Sequence, residues 1–313
     1  MEYVTNEEVA KILSYSKLIE ALQKMFCSEY QMPLRHHHFY PAENEEENTL
    51  ILMPSWNEKY LGNKQIILAP GNAVKEIPTV SAMYTLFDVE TGVPLCIMEA
   101  GELTARRTAC KSALAARFLA PQSAKNLLIL GGGRVAQHLI PAHCEVRDYQ
   151  NIEVWLRSPE KFEAFKIKLP PELQPKVNLA SDLKKAIQKA DVISAATMTV
   201  DPIIKGEWLK DGCYLDLVGS YKPHMREADD KTIQRSQIFV DSREGALHET
   251  GEMAIPIKQG LFEESDVRAD LTELCRKQHP GRTSDNEIIL FKSAGLAIED
   301  LAGAIVVYES LQN

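Results

Sequence analysis

From residue 126 onward, short apolar runs alternate with stretches that have helical spacing. The runs predict buried strands at Leu127–Leu130, Ile152–Leu156, Asp191–Ala196, Tyr214–Val218 and Ile238–Val240. Between two of them, Ser181–Ala190 is predicted to be a helix that Ser181 or Asp182 caps at its N-terminus. Alternation of this kind predicts an α/β fold, with a doubly wound parallel sheet covered by helices on both faces.

The first hundred residues show a mixed pattern. Helices are predicted from Asn6 to about Tyr30 and over about Thr104–Leu119. Asp88–Gly92 reads as a turn between two strand-like runs, which predicts an antiparallel hairpin. The strand-like runs are Thr49–Pro54, Gln65–Leu68, Val80–Asp88 and Pro94–Met98. Near the end of the chain, Leu296–Leu311 has apolar residues at helical spacing, and we expect it to pack back on the first segment.

A glycine-rich turn follows the first strand of the second half. Gly131, Gly133 and Ala136 fit the pattern G-x-G-x-x-G/A, with Arg134 and Val135 between them. Such glycines permit a tight turn and let backbone amides approach a pyrophosphate at a helix N-terminus. A strand before the motif and a helix after it favour dinucleotide binding over an ordinary turn. Because more than a hundred residues precede the motif, we expect the dinucleotide domain to be inserted into a substrate domain.

The end of the second predicted strand bears on the choice of cofactor. An acidic residue there hydrogen-bonds a ribose hydroxyl and favours NAD. Here the strand ends at Arg157 and Ser158, which offer a guanidinium and a hydroxyl to a 2′-phosphate. NADPH is therefore the predicted cofactor, with NADH as a possibility. The alternative is that Arg157 is only a solvated strand end.

Length, charge and cysteine usage narrow the class of protein. The 313 residues exceed the ~250–300 at which a single core stops growing, so two domains are expected. A net charge of −9 argues against nucleic acid as a partner. The absence of a long apolar run or a signal-peptide pattern predicts a cytoplasmic protein with no membrane partner. The six scattered cysteines predict free, mostly buried thiols in a reducing compartment.

Three cations of the flanking segment are candidates for substrate binding, namely Arg35, Lys64 and Arg107. A substrate carboxylate needs a bidentate guanidinium, and imine or carbonyl chemistry needs a positioned proton donor such as an ammonium. A surface salt bridge is the default interpretation for each of the three, and the sequence alone does not establish a substrate contact for any of them. Arg106 and Arg107 are adjacent on a predicted helix and point about 100° apart, so we expect only one to face a pocket.

Other polar clusters suggest no separate chemistry. Three consecutive histidines, His36–His38, cannot all face one metal ion in regular structure, and a polar loop or strand is the better interpretation. His248 and Glu249 lack the second histidine of a zinc signature. No serine lies in a G-x-S-x-G elbow, so hydrolase chemistry is not indicated. No metal site is predicted.

Several segments together resemble the ornithine cyclodeaminase/mu-crystallin family along nearly the whole chain. The matching segments are Lys64 ahead of Pro70–Asn72, Leu86–Pro94, Leu103–Ala109, the turn at Gly131, and Phe291–Leu301. The resemblance implies a homodimer in which a Rossmann-type doubly wound sheet is inserted into an α+β substrate and dimerisation domain. We expect residues 1–117 plus 294–313 to form the substrate and dimerisation domain, and residues 118–293 to form the NAD(P)-binding domain.

The same resemblance implies an amino- or imino-acid substrate and a role for each candidate residue. Arg35 and Arg107 would hold the substrate carboxylate, and Lys64 would lie beside the reacting carbon–nitrogen bond. Thr108 and Ser293 would lie near the nicotinamide end of the cofactor.

One position at which this chain differs from the cyclodeaminases of the family helps to distinguish cyclodeaminase from reductase activity. Cyclodeaminases have an acidic residue shortly after the glycine that ends the fifth strand, and Tyr221 stands at that place here. Asp216 lies earlier and Glu227 lies later, and neither is an obvious substitute. The stretch from Ser220 to Glu227 is more similar to members that reduce cyclic ketimines.

The expected activity is therefore NAD(P)H-dependent reduction of Δ1-pyrroline-2-carboxylate or Δ1-piperideine-2-carboxylate to L-proline or L-pipecolate, with ring size left open. The alternatives are an ornithine cyclodeaminase, an alanine-type dehydrogenase, and a non-catalytic NADPH-dependent protein that binds a small ligand.

Overall fold

A computed structural model describes residues 1–42 and 47–312, in which the chain forms two compact units. Unit 1 comprises Met1–Arg107 and Leu296–Asn313, and unit 2 comprises Thr108–Gly295. The boundary between Arg107 and Thr108 lies inside a helix, Ala100–Leu119. It is ten residues earlier than the expected boundary at 117/118. That helix begins before the predicted Thr104 and ends where predicted.

Unit 1 contains a six-stranded mixed sheet. Its strands are β1 (Glu2–Val4), β2 (His36–Pro41), β3 (Glu47–Trp56), β4 (Tyr60–Leu68), β5 (Val80–Asp88) and β6 (Pro94–Glu99). The order across the sheet is β1-β6-β5-β4-β3-β2; β1 and β6 are parallel, and all other neighbours are antiparallel. The predicted hairpin is confirmed as β5 and β6, with Gly92 at φ +70° in the turn.

The N-terminal helix predicted from Asn6 to about Tyr30 is two helices, α1 (Asn6–Ile12) and α2 (Tyr15–Cys27). The single-helix prediction was wrong because Ser14 adopts an extended backbone and its side chain accepts a hydrogen bond from the Lys17 amide, which starts a new helix. Ala100–Leu119 is α3. The predicted C-terminal helix is confirmed as α11 (Ala297–Leu311), which packs on α2, β3, β4 and β5.

The sheet face beneath α11 carries a buried row of side chains. Met53, Lys64, Tyr84 and Met98 are aligned across β3, β4, β5 and β6, and none is more than 3% exposed. Aligned residues on neighbouring strands point to the same face. Lys64 is therefore a charged residue in an otherwise largely apolar row, so the burial of its ammonium requires a partner.

Unit 2 contains an eight-stranded, entirely parallel sheet. Its strands are β7 (Asn126–Leu130), β8 (Asn151–Trp155), β9 (Val177–Leu179), β10 (Val192–Ala195), β11 (Tyr214–Leu217), β12 (Ser236–Val240), β13 (Val267–Asp270) and β14 (Ile288–Lys292). The order is β13-β12-β14-β11-β10-β7-β8-β9, so strand order reverses direction at β7. The α/β fold with a Rossmann-type sheet is confirmed. In such a sheet, ligands bind outside the carboxyl ends of the strands at this reversal point.

Seven helices between these strands complete the described part of unit 2. They are α4 (Arg134–Cys144), α5 (Phe162–Lys166), α6 (Leu183–Lys189), α7 (Asp230–Arg235), α8 (Arg243–Glu249), α9 (Gly251–Lys258) and α10 (Leu271–Cys275). The helix predicted around Ser181–Ala190 is confirmed as α6, and of its two proposed caps Asp182 accepts from the Lys185 amide at 3.1 Å.

The three consecutive histidines belong to β2, in line with the expected polar loop or strand, and all are exposed. The six cysteines, all within the described residues, form no disulfide bond, as predicted, and four of them are buried. Over residues 1–42 and 47–312, no helix combines the length and the apolar character that crossing a bilayer requires.

Candidate active site

The site in unit 1 centres on an ion pair between β4 and the first turn of α11. Lys64 Nζ donates a hydrogen bond to Asp300 Oδ2 at 2.6 Å, and both side chains are at most 1% exposed. The carboxylate supplies the partner that the buried row of the sheet lacks. Lys64 is thus held in one place, away from bulk water.

Arg107 joins the same carboxylate from α3. Its Nε donates to Asp300 Oδ1 at 3.2 Å, and its Nη1 makes a very short contact with Glu299. Glu299 Oε1 also accepts from the Leu296 amide at 2.9 Å, which fixes the start of α11. Asp300 therefore bridges two of the three cations that the sequence singled out, Lys64 and Arg107.

Arg106 points elsewhere, as adjacent positions on a helix require. Its Nε donates to Glu102 at 2.6 Å, its Nη1 donates to the Leu13 carbonyl at 2.7 Å, and its guanidinium lies over the ring of Tyr15. These contacts tie α3 to the N-terminal helices. Of the two arginines, Arg107 is the one beside Lys64.

Burial and the positive charge of Arg107 lower the pKa of Lys64 to about 8, while the negative charge of Asp300 acts in the opposite direction. A lysine with a pKa of about 8 is partly deprotonated at physiological pH, whereas an exposed lysine is almost fully protonated. The cluster therefore combines a proton donor with a guanidinium suited to a carboxylate.

Arg35 is half-buried and immediately precedes β2. The β2–β3 ladder begins where His36 pairs with Leu52, and the next residue of β3, Met53, pairs with Lys64 on β4. Arg35 therefore lies at the level of Lys64 along the sheet, two strands away.

The predicted glycine turn in unit 2 joins β7 to α4. Gly131 has φ +121°, and a Cβ there would lie 2.6 Å from the Ala196 carbonyl oxygen, so only glycine fits. Gly133 caps α4 with an ordinary φ of −80°, and a Cβ there would meet nothing within 4 Å. Ala136 is buried, Val135 is half-buried and Arg134 is exposed. The open space at Gly133 suits the approach of a phosphate to the first amides of α4.

Arg157 and Ser158 lie one residue beyond the end of β8, after Leu156, and line a cavity of about 320 Å³. Gly132 and Gln137 line it as well, so the cavity adjoins the glycine turn. Arg157 is exposed and Ser158 is half-buried. The residues that the sequence associated with a ribose phosphate thus surround a cavity at the expected end of β8.

Thr108 and Ser293 are both buried residues of unit 2. Ser293 follows β14 and donates its backbone amide to the Leu217 carbonyl at 3.1 Å. The next two residues are held by a carboxylate that the sequence did not single out: Asp241 Oδ2 accepts from the amides of Ala294 and Gly295 and from Lys111 Nζ, all within 2.8 Å. This buried ion pair fixes the loop that carries Ser293.

The acidic residues considered for cyclodeaminase chemistry make other contacts. Asp216 is buried in β11 and accepts from Ser112 and Ser194 at 3.1 and 2.5 Å. Glu227 accepts from the amides of Thr197 and Gly219, each at 2.7 Å, and so links the loop after β10 to the loop after β11.

Burial raises the pKa of Glu227 to about 7. Tyr221, which stands where a cyclodeaminase has its acid, is 47% exposed. A linking role for Glu227 could not be read from the sequence, because its partners follow two other strands.

The chain belongs to the ornithine cyclodeaminase/mu-crystallin family, whose model matches residues 2–313. Within that family it is 34% identical over 317 residues to a Δ1-pyrroline-2-carboxylate reductase of Colwellia psychrerythraea, covering 99% of each chain.

Two solved structures share the fold over the whole chain. One is Thermococcus litoralis Δ1-pyrroline-2-carboxylate reductase in complex with NADH and L-proline, with a TM-score of 0.92, 32% identity and coverage of 100% of this chain and 98% of that one. The other is an archaeal alanine dehydrogenase dimer with bound NAD, with a TM-score of 0.90, 28% identity and coverage of 100% and 96%.

Proposed function

We propose that this protein is an oxidoreductase that uses NAD(P)H to reduce Δ1-pyrroline-2-carboxylate, Δ1-piperideine-2-carboxylate or both to L-proline and L-pipecolate. The named reductases that it resembles over nearly their full length support this substrate class. The observation that carries the proposal is the buried Lys64 beside Arg107, with Asp300 in contact with both. A proton donor next to a guanidinium suits a carbon–nitrogen double bond next to a carboxylate.

In the proposed mechanism, Arg107 and Arg35 bind the substrate carboxylate. Asp300 and Glu299 orient the Arg107 guanidinium, so part of the ordering cost is met before the substrate binds. Lys64 gives a proton to the imine nitrogen, directly or through a water molecule. The positive nitrogen then makes the adjacent carbon, C2, a better hydride acceptor.

The cofactor is a reduced nicotinamide dinucleotide, which supplies the hydride when bound. Gly131, Gly133 and the first turn of α4 fit its pyrophosphate, because the turn requires glycine and leaves open space over the helix N-terminus. We assign Thr108 and Ser293 to the nicotinamide end. Arg157 and Ser158 favour NADPH over NADH.

We assign substrate binding and dimerisation to unit 1 and cofactor binding to unit 2. Strand β2 is an edge strand whose six side chains are all exposed, including Phe39 at 63% and Tyr40 at 38%. An exposed aromatic edge is a surface that a second copy can cover. The dimeric alanine dehydrogenase with this fold supports the proposal. Light scattering should give the mass of a dimer, and Phe39→Asp should shift it towards the monomer. Cytoplasmic location stays a prediction.

A direct assay follows NADPH and NADH consumption with the five- and six-membered ketimines. The same preparation is tested for ammonia release from L-ornithine with NAD⁺ and for ammonia-dependent NADH oxidation with pyruvate. Ketimine reduction as the dominant activity supports the proposal. Dominant ornithine deamination or pyruvate amination would replace it with a cyclodeaminase or an alanine dehydrogenase, and cofactor binding without turnover would indicate a binding protein.

Lys64→Ala tests the role of the proton donor. We expect it to abolish ketimine reduction while NADPH binding survives. Because the truncation also leaves a cavity in the buried row, Lys64→Met, which likewise lacks the ammonium but keeps most of the side-chain volume, should be measured alongside it. If either variant folds and reduces the ketimine at the parental rate, the role assigned to Lys64 is wrong.

A further inference from the structure

Arg157 is one of three cationic side chains that line the cavity at the end of β8. Lys161 and Lys168 also line it, and the remaining lining residues are Gly132, Gln137, Leu156, Ser158, Ala164 and Phe165. Three cations therefore surround about 320 Å³ with no carboxylate among the lining residues. In a chain with a net charge of −9, such a local excess of positive charge calls for an anionic ligand.

The short helix α5 and its flanking turns bring these cations together. Lys161 ends the 3-10 turn before α5, and Lys168 lies in the turn after it. Over residues 1–42 and 47–312, Arg157, Lys161 and Lys168 form no ion pair with a carboxylate. Their charges are therefore not neutralised within the described chain.

The position of the cavity in the sheet indicates which anionic group of a dinucleotide would reach it. In a sheet of this type, the pyrophosphate of a dinucleotide lies at the first glycine turn and the adenosine ribose lies towards the end of the next strand, here β8. The cavity shares Gly132 with that turn and begins where β8 ends. A phosphate attached to the 2′-oxygen of that ribose would therefore reach the three cations.

We propose that Lys161 and Lys168 are specificity-determining residues that, with Arg157 and Ser158, bind the 2′-phosphate of NADPH. This deepens the proposed function and depends on its dinucleotide site. A phosphomonoester carries close to two negative charges near neutral pH, so three cations can share it. Several cations then contribute to the preference for NADPH over NADH, so loss of Arg157 alone reduces that preference only in part.

Adenosine 2′,5′-bisphosphate and 5′-AMP are the appropriate probes, because they differ by the 2′-phosphate alone. Calorimetry gives the ratio of their dissociation constants for the parent, Lys161→Ala, Lys168→Ala and the double variant. We expect the parent to favour the bisphosphate and the double variant to lose at least about tenfold of that preference, with 5′-AMP affinity little changed. Added salt should weaken bisphosphate binding more in the parent than in the double variant.

Lys166→Ala is the matched control, because Lys166 is on α5 but its Nζ lies over the Phe162 ring and does not line the cavity. An unchanged ratio in the double variant, an equal loss in the control, or a parent that binds both probes equally would overturn the assignment. Binding is measured without turnover, so this result is separate from the ketimine assay. If NADH-driven reduction persists while the ratio fails to change, the lysine assignment is wrong and the proposed reaction stands.

Discussion

The ammonium of Lys64 and the carboxylate of Asp300 are 2.6 Å apart in the buried interior of unit 1, although 236 positions separate them in the chain. The desolvation penalty of burying two charges exceeds their Coulombic attraction unless further hydrogen bonds satisfy the remaining polar atoms of both groups. Asp300 has such a further bond from Arg107. An apolar pair of similar volume is often at least as stable, so the ion pair supports the proposed chemical role of Lys64.

Asp300→Asn should shift the pH dependence of catalysis. The negative charge of Asp300 raises the pKa of Lys64 against the effect of burial, so its removal lowers that pKa below about 8. If ketimine reduction requires protonated Lys64, kcat/KM falls as pH rises through the pKa of Lys64. This fall should therefore begin at a lower pH in Asp300→Asn than in the parent. Glu309→Gln, on the exposed part of α11, should leave the profile unchanged. A variant that folds and keeps the parental alkaline limb would show that Asp300 does not tune Lys64.

Arg107 and Arg106 offer a comparison between neighbouring positions. Arg107→Lys keeps the charge but loses the planar fork, so kcat/KM for the ketimine should fall about 10- to 100-fold, mainly through KM. Arg106→Lys should instead lower the melting temperature, because Arg106 ties α3 to the Leu13 carbonyl and to Tyr15. Steady-state kinetics and thermal unfolding of both variants separate the two effects. Equal kinetic losses would remove the distinction drawn between them.

The two glycines of the turn should respond differently to alanine. Gly131→Ala places a Cβ 2.6 Å from the Ala196 carbonyl oxygen at φ +121°, so unfolding should become easier by about 1–3 kcal/mol. Gly133→Ala meets nothing and has an ordinary φ, so stability should hardly change. It should nevertheless weaken NADPH binding, because the new methyl group occupies the space over the α4 amides. Urea unfolding and cofactor titration test this, and unchanged affinity in Gly133→Ala would place the pyrophosphate elsewhere.

The main features of the fold were predictable where the sequence has a periodic pattern. The buried strands of unit 2 that were predicted are short, mostly apolar runs, as expected for a parallel sheet covered on both faces. Strand β13 was missed because Val-Arg-Ala-Asp is short and carries charges, and β9 is only three residues long. Strand β14 is apolar but follows a long polar stretch, and its place between β11 and β12 is set by tertiary pairing.

The candidate site was only partly accessible from sequence. Lys64 and Arg107 could be proposed because their residue types suit the chemistry, but their shared partner on α11 is a long-range contact. The sequence analysis did not single out Lys161 and Lys168, because only the turns around α5 place both in the lining of one cavity. Local pattern therefore predicted most of the elements, whereas the contacts of Asp300 with Lys64 and Arg107 join distant segments and could not be predicted from local pattern.

Glu227 makes the stability of the protein depend on pH in a predictable direction. Burial raises its pKa from 4.5 to about 7, so between these values the folded state retains a proton that the unfolded state has lost. The unfolding free energy from this group is therefore highest below pH 4.5 and falls as pH rises to about 7, by on the order of 3 kcal/mol. Glu227→Gln cannot titrate, so its stability should fall less than that of the parent between pH 5 and pH 8. Denaturant unfolding at both pH values measures the difference, with the exposed Glu172→Gln as the control. An equal fall in parent and Glu227→Gln would mean that Glu227 is already ionised at pH 5 and that its bonds to Thr197 and Gly219 offset its burial.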